Sequence, residues 1–139
     1  MADKVFAFTI VTPEKVVYSG DVVSLVVPAE KGYLGILANH APMFCEVKVG
    51  AVKATLPSQE LRLFAAASGF LETSHNKVTL YCESSEPREE IDLLRAKTAY
   101  GRAIERLKKK QGLDALRADY AVSRAANRIR LFETRTPDV

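Results

Sequence analysis

The sequence lacks several features that would point to secreted or membrane-spanning proteins. It contains only two cysteines, Cys45 and Cys82, and its apolar runs are much shorter than the roughly 20 residues that a membrane-spanning helix needs. Two cysteines without an export signal argue against a disulfide framework. The first residues, MADKVFAF, place charges where a signal peptide would need its apolar segment. These absences predict a soluble intracellular protein.

Signals for catalysis and for metal binding are also missing. The chain has no glycine-rich loop followed by lysine, so it is not a P-loop ATPase. Its two histidines lie in turn-like segments and support no Ser/His/Asp set. His40, Cys45, His75 and Cys82 form pairs five and seven residues apart, unlike the tight spacings of structural zinc sites. We therefore expect a protein that is not an enzyme and holds no metal, with both cysteines as small core residues.

Charge is distributed unevenly along the chain. Residues 1–86 contain seven Lys and Arg against nine Asp and Glu, a net charge of −2, and five of the seven glycines. Residues 87–139 carry a net charge of +5, which brings the whole chain to +3. This composition predicts two domains, at 1–86 and at 87–139. A basic second domain favours anionic partners such as nucleic acid, phosphates or acidic protein surfaces.

The first domain has the pattern of a β-structure. Within Val5–Val11, the side chains of Phe6, Phe8 and Ile10 alternate with their neighbours at the period of a strand. Turn signals such as Ser19-Gly20-Asp21 separate eight further strand candidates, at Val16–Tyr18, Val22–Val27, Tyr33–Leu37, Cys45–Lys48, Ala51–Leu56, Leu61–Ala66, Gly69–Thr73 and Lys77–Cys82. Short strands at this spacing predict a β-sandwich or flattened barrel, because βαβ units would need helices between the strands.

The second domain has the pattern of two helices. The segment Ile91–Lys110 contains no proline, and its apolar residues recur at helical spacing, at Leu93, Ala96, Tyr100, Ala103 and Leu107. Asp114 is expected to cap a second helix that Pro137 closes, with apolar positions at Leu116, Tyr120, Ala121, Ala125, Ile129 and Phe132. The short connection predicts an antiparallel hairpin. Its alanine-rich seam buries little area, so we expect a weakly stable element suited to movement.

Arginines form a stripe on each predicted helix. The spacing is seven and then four residues on both, at Arg95, Arg102 and Arg106 and again at Arg117, Arg124 and Arg128. Such spacings keep side chains near one helix face, which is commonly a solvated charged face. Glu105 and Asp119 do not neutralise the stripes, and a planar guanidinium matches phosphate oxygens in pairs. A solvated face, a polyphosphate site and a contact with an acidic protein surface all remain open.

Six short motifs follow one another in order along the chain. They are Val11-Thr12-Pro13-Glu14, Gly32-Tyr33-Leu34-Gly35-Ile36-Leu37, His40-Ala41-Pro42, Ser68-Gly69-Phe70-Leu71-Glu72, Asn76-Lys77-Val78-Thr79 and Ile91-Asp92-Leu93-Leu94-Arg95-Ala96. In this order, followed by a helical hairpin, they resemble the ε subunit family of bacterial F-type ATP synthases, called δ in mitochondria. The resemblance covers essentially the whole chain.

The resemblance implies a fold and a set of partners. The fold is α+β in two modules, an N-terminal β-sandwich of about ten strands and a C-terminal antiparallel two-helix hairpin. The function is that of a non-catalytic rotor subunit in the central stalk of a proton-translocating synthase, with the γ subunit, the c-ring and the catalytic α and β subunits as partners. The hairpin would extend along γ to inhibit ATP hydrolysis. The location would be peripheral, on the cytoplasmic face of the bacterial cell membrane and attached only through the complex.

The resemblance also implies a regulatory ATP site, with no cofactor for catalysis. Many bacterial members bind ATP through an Ile/Leu-Asp-x-x-Arg-Ala motif, and the matching residues here are Glu86, Ile91, Asp92, Arg95, Ala96, Arg102, Arg124 and Arg128. Ile91 would pack on the adenine, polar groups near Asp92 would hold its edge, and the arginines would meet the phosphates. For Asp92 and Arg95 the alternative is helix capping and an interdomain ion pair.

A docking loop for γ and the c-ring is implied at Gly32, Tyr33, Gly35, His40 and Pro42. Tyr33 stands where the family often has an acidic residue, so a specific polar contact from this position to the ring is not carried over. The composition is also compatible with a stand-alone nucleic-acid-binding module with a basic helical arm. The acidic first domain argues against that function, and we expect no nucleic-acid partner.

Overall fold

The computed structural model describes residues 4–109 and 112–134, and the predicted helix ends at Lys110 and Pro137 lie outside these ranges. The chain divides into two compact units, one up to Pro87 and one that begins at Arg88. No helix in the described ranges is long and apolar enough to cross a bilayer.

The first unit is built from ten strands. They are β1 Phe6–Val11, β2 Val16–Val22, β3 Ser24–Ala29, β4 Gly32–Leu37, β5 Met43–Val47, β6 Gly50–Thr55, β7 Leu61–Ala66, β8 Gly69–Ser74, β9 Lys77–Cys82 and β10 Ser85–Pro87. The strand order is β10-β7-β6-β3-β5-β8-β9-β1-β2, with β4 paired to β3. The β1–β9 pair is parallel, and the other pairs are antiparallel. The predicted β-sandwich is confirmed.

Strand β3 makes the corner at which the sheet passes from one layer to the other. Its residues Ser24, Leu25 and Val26 pair with β6, whereas Ala29 pairs with Val47 of β5. One edge of a single strand thus serves two partners. A sheet that changes partner along one strand folds over on itself, so the inner faces of its two halves meet and form the core.

Large side chains fill the space between the layers. Phe6, Phe8 and Ile10 of β1 are buried, while the alternate residues are half-buried, as the period of two predicted. The same core contains Val22, Leu25, Val27, Ile36, Val47, Val52, Phe64, Leu71, Val78 and Leu80. Full burial of each such side chain contributes about 1.5–3 kcal/mol, so the sandwich has a substantial core.

Two details of the strand prediction are wrong. Ser19, Gly20 and Asp21 do not form a turn, because β2 continues through them and pairs them with Thr9, Phe8 and Ala7. Gly20 leaves room for the Tyr18 side chain, because an added Cβ would come within 2.9 Å of the Tyr18 hydroxyl. Strand β10 was not predicted, since three residues ending in Pro87 carry too little pattern to identify a strand.

The second unit contains a short 3-10 helix, η1 (Arg88–Glu90), followed by α1 (Leu93–Lys109) and α2 (Leu113–Glu133). The Lys97 Nζ lies 3.7 Å from Glu133 Oε1. The beginning of α1 therefore lies beside the end of α2, which shows that the two helices are antiparallel. The Arg88 guanidinium donates to the carbonyl of Phe132 at 3.4 Å and also to that of Thr134. These carbonyls lie at a helix C-terminus, where they lack intrahelical donors.

The predicted helical hairpin is confirmed, with two corrections to its details. Gly112, with a φ of 63°, precedes α2 at the capping position, and Asp114 lies inside the first turn. Leu116 is 67% exposed, Phe132 41% and Tyr100 38%, so none of the three belongs to the buried seam. The buried positions of the two helices are mostly small, namely Ala96, Ala103, Ala118, Ala125, Asn127 and Leu131.

Candidate functional site

The predicted nucleotide motif begins just before α1. Asp92 Oδ1 accepts a hydrogen bond from the backbone N–H of Arg95 at 3.1 Å, and the Asp92 carbonyl accepts one from Ala96 at 2.9 Å. This is the geometry of a helix N-cap, in which a carboxylate also lies favourably near the positive end of the helix dipole. Asp92 therefore has the capping role that the sequence left open for it.

The apolar members of the motif are covered. Ile91 is 5% exposed and Ala96 is 3% exposed, whereas Asp92 and Arg95 are exposed. The Ile91 backbone N–H donates to the Arg88 carbonyl at 3.1 Å, which fixes the turn from η1 into α1. In this conformation an adenine would reach the Ile91 side chain only after neighbouring groups move.

One side of the hairpin, the lysine flank, is defined by Lys97, Tyr100, Ile129 and Glu133. A groove of about 400 Å³ lies on this flank, lined by Tyr100, Ala126, Ile129, Arg130, Glu133 and Thr134. The salt bridge between Lys97 and Glu133 crosses from one helix to the other on the same side. This flank carries both charge signs and a pair of apolar side chains.

The opposite side, the arginine flank, is defined by Arg102, Arg106, Arg124 and Arg128. Each helical residue advances by about 100°, so these arginines lie roughly 70–110° from the alanine seam, in the rotational sense opposite to that of Lys97 and Glu133. Because the helices are antiparallel, the same rotational sense on each points to the same side of the hairpin. The two predicted stripes therefore share one flank.

The salt bridge also shows which arginines lie at the same level along the axes of the two helices. Arg102 lies five residues after Lys97, and Arg128 lies five residues before Glu133. Arg106 lies nine residues after Lys97, and Arg124 lies nine residues before Glu133. Arg102 therefore faces Arg128 across the hairpin, and Arg106 faces Arg124. Arg95 lies on the same side of α1, about 10 Å from Arg102 along the helix axis at 1.5 Å per residue. The structure thus brings together Arg102, Arg124 and Arg128 of the predicted site.

Arg124 and Arg128 are half-buried, whereas Arg95 and Arg102 are exposed. The guanidinium carbon of Arg124 lies 4.7 Å from the centre of the Tyr120 ring, which is cation–π geometry. The helical spacing predicted Tyr120 to lie in the apolar seam and did not predict this contact. The i, i+4 spacing of an aromatic residue and an arginine on a helix is the signal that would have revealed it.

Glu86, the remaining residue of the predicted ATP set, lies in the first unit. It is half-buried on β10 and pairs in register with Ala65 of β7. Its position follows from the ladder between these two strands. Of the predicted set, only Glu86 belongs to the sandwich, and the other seven belong to the helical unit.

The predicted docking residues lie along β4 and the loop that follows it. Gly32 opens β4 with a φ of 124°, a conformation that side-chain-bearing residues rarely adopt. Tyr33 is 49% exposed, and its hydroxyl lies over Gly50, where an added Cβ would come within 3.5 Å of it. Tyr33 therefore presents a broad aromatic surface, and Gly35 beside it is exposed. The segment is an edge strand, since its described pairing is with β3 alone.

The loop after β4 is held by polar contacts. The His40 Nδ1 lies 2.8 Å from the Ala41 carbonyl, and Pro42 next to it is exposed. The Asn39 backbone N–H donates to Asn76 Oδ1 at 2.7 Å, and the Asn76 amide donates to the Val5 carbonyl at 2.9 Å. The loop is thus tied to the β8–β9 turn and to the start of β1. All five predicted docking residues lie in this one strand and loop.

A second exposed surface on the sandwich was not predicted. The rings of Phe44 and Phe70 stack with centroids 5.4 Å apart, although these residues are 67% and 49% exposed. Tyr81 pairs in register with Phe70 and is 47% exposed. A groove of about 470 Å³ runs beside them, lined by Val11, Thr12, Pro13, Glu46, Ser68, Gly69, Phe70, Tyr81, Cys82 and Glu83. Exposed aromatic clusters of this kind mark interaction surfaces in soluble domains.

The cysteines do not form part of a metal site in the described residues, among which no group of three or more His, Cys, Asp and Glu is placed to hold an ion. Burial raises the pKa of the Cys82 thiol to about 11, with a smaller opposing effect from a hydrogen bond to Ser85. Burial also raises the pKa of Cys45. Because a thiol binds metal as the thiolate, these shifts disfavour ligation and suit the core roles predicted for both residues.

Comparison with known proteins identifies the two units separately. Residues 5–88 match the family model described as ATP synthase, Delta/Epsilon chain, beta-sandwich domain, and residues 89–133 match that of the long alpha-helix domain. The ATP synthase epsilon chain of Bacillus pumilus (strain SAFR-032) is 40% identical over 128 residues, which is 92% of this chain and 97% of that protein. The epsilon chain of Pelotomaculum thermopropionicum is 41% identical over 110 residues, covering 79% and 81% of the two chains.

A solved structure shares the fold. In a cryo-EM structure of the Euglena gracilis mitochondrial ATP synthase, comprising OSCP, F1 and the c-ring, one chain aligns with a TM-score of 0.76 at 16% identity and covers 91% of this chain and 79% of that one. At this identity the likeness concerns the fold alone. The family matches and the identity to bacterial epsilon chains confirm the resemblance found in the sequence, and they disfavour a stand-alone nucleic-acid-binding module. This chain belongs to the delta/epsilon chain family of ATP synthases.

Proposed function

We propose that the chain is the ε subunit of a bacterial proton-translocating F-type ATP synthase, a non-catalytic part of its central stalk. Its partners are the γ subunit, the c-ring and the catalytic α and β subunits, and it lies on the cytoplasmic face of the membrane through that complex. The family match over both units supports this proposal, as does the F1 and c-ring content of the similar Euglena assembly. The exposed aromatic cluster at Phe44, Phe70 and Tyr81 provides the sandwich with a surface for protein partners.

We further propose that the hairpin is a regulatory switch. In its folded state the hairpin binds ATP. In its extended state it inhibits ATP hydrolysis by contacting an acidic surface of the catalytic subunits. The observation that carries this proposal is the arginine flank, on which two arginines from each helix stand at matched heights. A guanidinium donates hydrogen bonds in a planar fork that fits phosphate oxygens. Four such groups on one side of the hairpin suit a ligand with several phosphate groups better than a ligand with one negative charge.

The remaining residues of the proposed ATP site have separate roles. Asp92 caps α1, and Arg95 and Ala96 follow in the first turn, so the base-binding motif forms only when that turn is helical. Ile91 and Glu86 complete the site by resemblance. ATP would stabilise the folded hairpin by about 2.7 kcal/mol at a hundredfold excess over its dissociation constant, if the extended form does not bind. At low ATP the extended, inhibitory form would gain population.

Calorimetric titration of the isolated chain with ATP, ADP and inorganic triphosphate tests the nucleotide proposal. We expect saturable binding that prefers ATP, and a loss of about tenfold to hundredfold in affinity for Arg124→Ala and Arg128→Ala, because each removes charge-assisted hydrogen bonds to phosphate. Arg130→Ala is the matched control, since Arg130 lies on the same helix and donates to Asn127 Oδ1 at 3.2 Å. It should bind ATP like the unaltered chain.

The consequence for the enzyme is tested in the reconstituted F1 complex. ATP should relieve the inhibition of hydrolysis by the unaltered chain, and Arg124→Ala should require far more ATP for the same relief. Unchanged affinity and unchanged relief in both Arg124→Ala and Arg128→Ala would contradict the nucleotide switch. The proposed place in the central stalk would stand in that case, because it depends on assembly with γ and the c-ring, which is measured by co-purification.

A further inference from the structure

The contact between Tyr120 and Arg124 holds a residue of the arginine flank without using its hydrogen-bond donors. The guanidinium lies over the ring at 4.7 Å, and both residues are half-buried on α2. A cation–π contact occupies the flat face of the guanidinium. The N–H donors project from its edge, in the plane, so the contact leaves them available to an incoming anion.

Arg130 on the same helix shows the contrasting arrangement. Its guanidinium edge donates to Asn127 Oδ1 at 3.2 Å, so part of its donor set is already used within the protein. Within residues 4–109 and 112–134, no carboxylate lies within ion-pair distance of Arg124. The aromatic ring is thus what holds Arg124, and it does so without neutralising the charge.

We propose that Tyr120 is a positioning residue of the arginine flank, to which the proposed function assigns the binding of phosphates. It restrains the Arg124 side chain over its ring with the edge donors directed to ligand phosphates. The inference rests on the proposed nucleotide function and extends it to a residue outside the Ile91–Ala96 motif. An arginine left unrestrained loses rotamer freedom when it binds an anion, and a ring that orders it beforehand removes part of that cost.

The test compares Tyr120→Phe with Tyr120→Leu in calorimetric titrations of the full chain with ATP. Phenylalanine keeps the aromatic face, so its affinity should stay within about twofold of the unaltered chain, whereas leucine should weaken ATP binding about threefold to fivefold. Tyr100→Leu is the matched control, because Tyr100 is a tyrosine of the same hairpin that lines the groove on the lysine flank. It should leave ATP affinity unchanged.

A double-mutant cycle separates positioning from a general effect on the helix. In the Arg124→Ala background, Tyr120→Leu should have no further effect on ATP affinity, because the residue through which it acts is gone. An equal loss with and without Arg124 would overturn the inference and assign Tyr120 a packing role. Full affinity in Tyr120→Leu, together with a loss in Arg124→Ala, would overturn it and leave the nucleotide switch intact.

A measurement without nucleotide tests the contact between Tyr120 and Arg124 directly. The Arg124 Nε–H resonance in an NMR spectrum should show a ring-current shift in the unaltered chain and in Tyr120→Phe, and should lose it in Tyr120→Leu. Absence of that shift would overturn the inference whatever the titrations show. Failure of every variant and of the unaltered chain to bind ATP, with the shift present, would overturn both the positioning role and the proposed switch.

Discussion

The two units of the chain bury different kinds of side chain. In the sandwich, Phe8, Phe64 and Leu71 are fully buried, with aromatic contacts such as that between Phe8 and Tyr18 at 5.9 Å. In the hairpin the buried positions are chiefly alanines, such as Ala103 and Ala125. The apolar area removed from water per residue is therefore much larger in the sandwich. A core of large side chains suits a permanent scaffold, and an alanine seam suits an element that changes partners at low cost.

The hairpin depends more on polar contacts at its ends. Asp92 caps α1, Lys97 pairs with Glu133, and Arg88 donates to the carbonyls at the end of α2. Each of these contacts is exposed or partly exposed and contributes little by itself. Such contacts form and break within a small range of free energy, which is what a two-state regulatory element requires.

The largest expected effect tests the sandwich side of this comparison. Phe8→Ala should lower the free energy of unfolding of the sandwich by about 3–5 kcal/mol, because it removes a fully buried ring and leaves a cavity. Native-state hydrogen exchange, which resolves amides of the two units, is the measurement. The protected amides of β1 and β9 should exchange much faster.

The variant of the hairpin that matches Phe8→Ala is Ala125→Gly. It should lower the free energy of unfolding of the hairpin by about 1 kcal/mol, because glycine has a lower helix propensity than alanine. If Phe8→Ala accelerated the amides of α1 and α2 as strongly as those of the strands, the two units would be one cooperative structure. The distinction between a stable sandwich and a separately unfolding hairpin would then be wrong.

An intermediate effect is expected at the start of α1. Asp92→Ala should destabilise the hairpin by about 1 kcal/mol through loss of the N-cap, while Asp92→Asn should retain most of it because asparagine also caps helices. Exchange rates of the first-turn amides, including that of Arg95, report the cap directly. Equal rates in the alanine variant and the unaltered chain would show that the Asp92 bond contributes nothing.

The two Asp92 variants also sharpen the assignment of the nucleotide motif. If Asp92 acts only as a cap, Asp92→Asn should keep ATP affinity. If its charge contacts the base, Asp92→Asn should lose affinity while the helix remains stable.

The smallest expected effect concerns the surface pair on the lysine flank. Lys97→Ala and Glu133→Ala should each change the stability of the hairpin by no more than about 0.5 kcal/mol, because both side chains are more than half exposed and water screens the pair. The difference should shrink further in 0.5 M salt. Thermal unfolding followed by circular dichroism provides the measurement. A loss of more than about 1 kcal/mol in the free energy of unfolding would contradict this prediction and show that the Lys97–Glu133 pair contributes substantially to the stability of the hairpin.

Much of the fold followed from local pattern. The alternation of Phe6, Phe8 and Ile10 predicted both the strand and its buried face, because a strand places successive side chains on opposite sides. The helical spacing at Ala96 and Ala103 likewise predicted a buried seam. The pattern failed at Ser19-Gly20-Asp21, where turn-forming residues lie within a strand because β1 supplies hydrogen bonds along the whole segment.

The candidate site was less accessible to sequence reasoning. The spacing of the arginines predicted one stripe on each helix, but nothing local predicts whether two stripes face the same side. That depends on how the helices meet, which the Lys97–Glu133 contact reveals. The stacked pair of Phe44 and Phe70 was missed for a similar reason, since two residues 26 positions apart become neighbours only through the β5–β8 pairing.

The sequence by itself determined the two-part organisation of this protein, the period of each element, the charge contrast between its units and, through its motifs, its family. These properties reside in neighbouring residues, whose spacing sets which faces are apolar or charged. Only the tertiary structure decided the partner change of β3 from β6 to β5, the shared arginine flank and the aromatic surface of the sandwich. These depend on register between distant segments, and register is chosen by the packing of the whole unit.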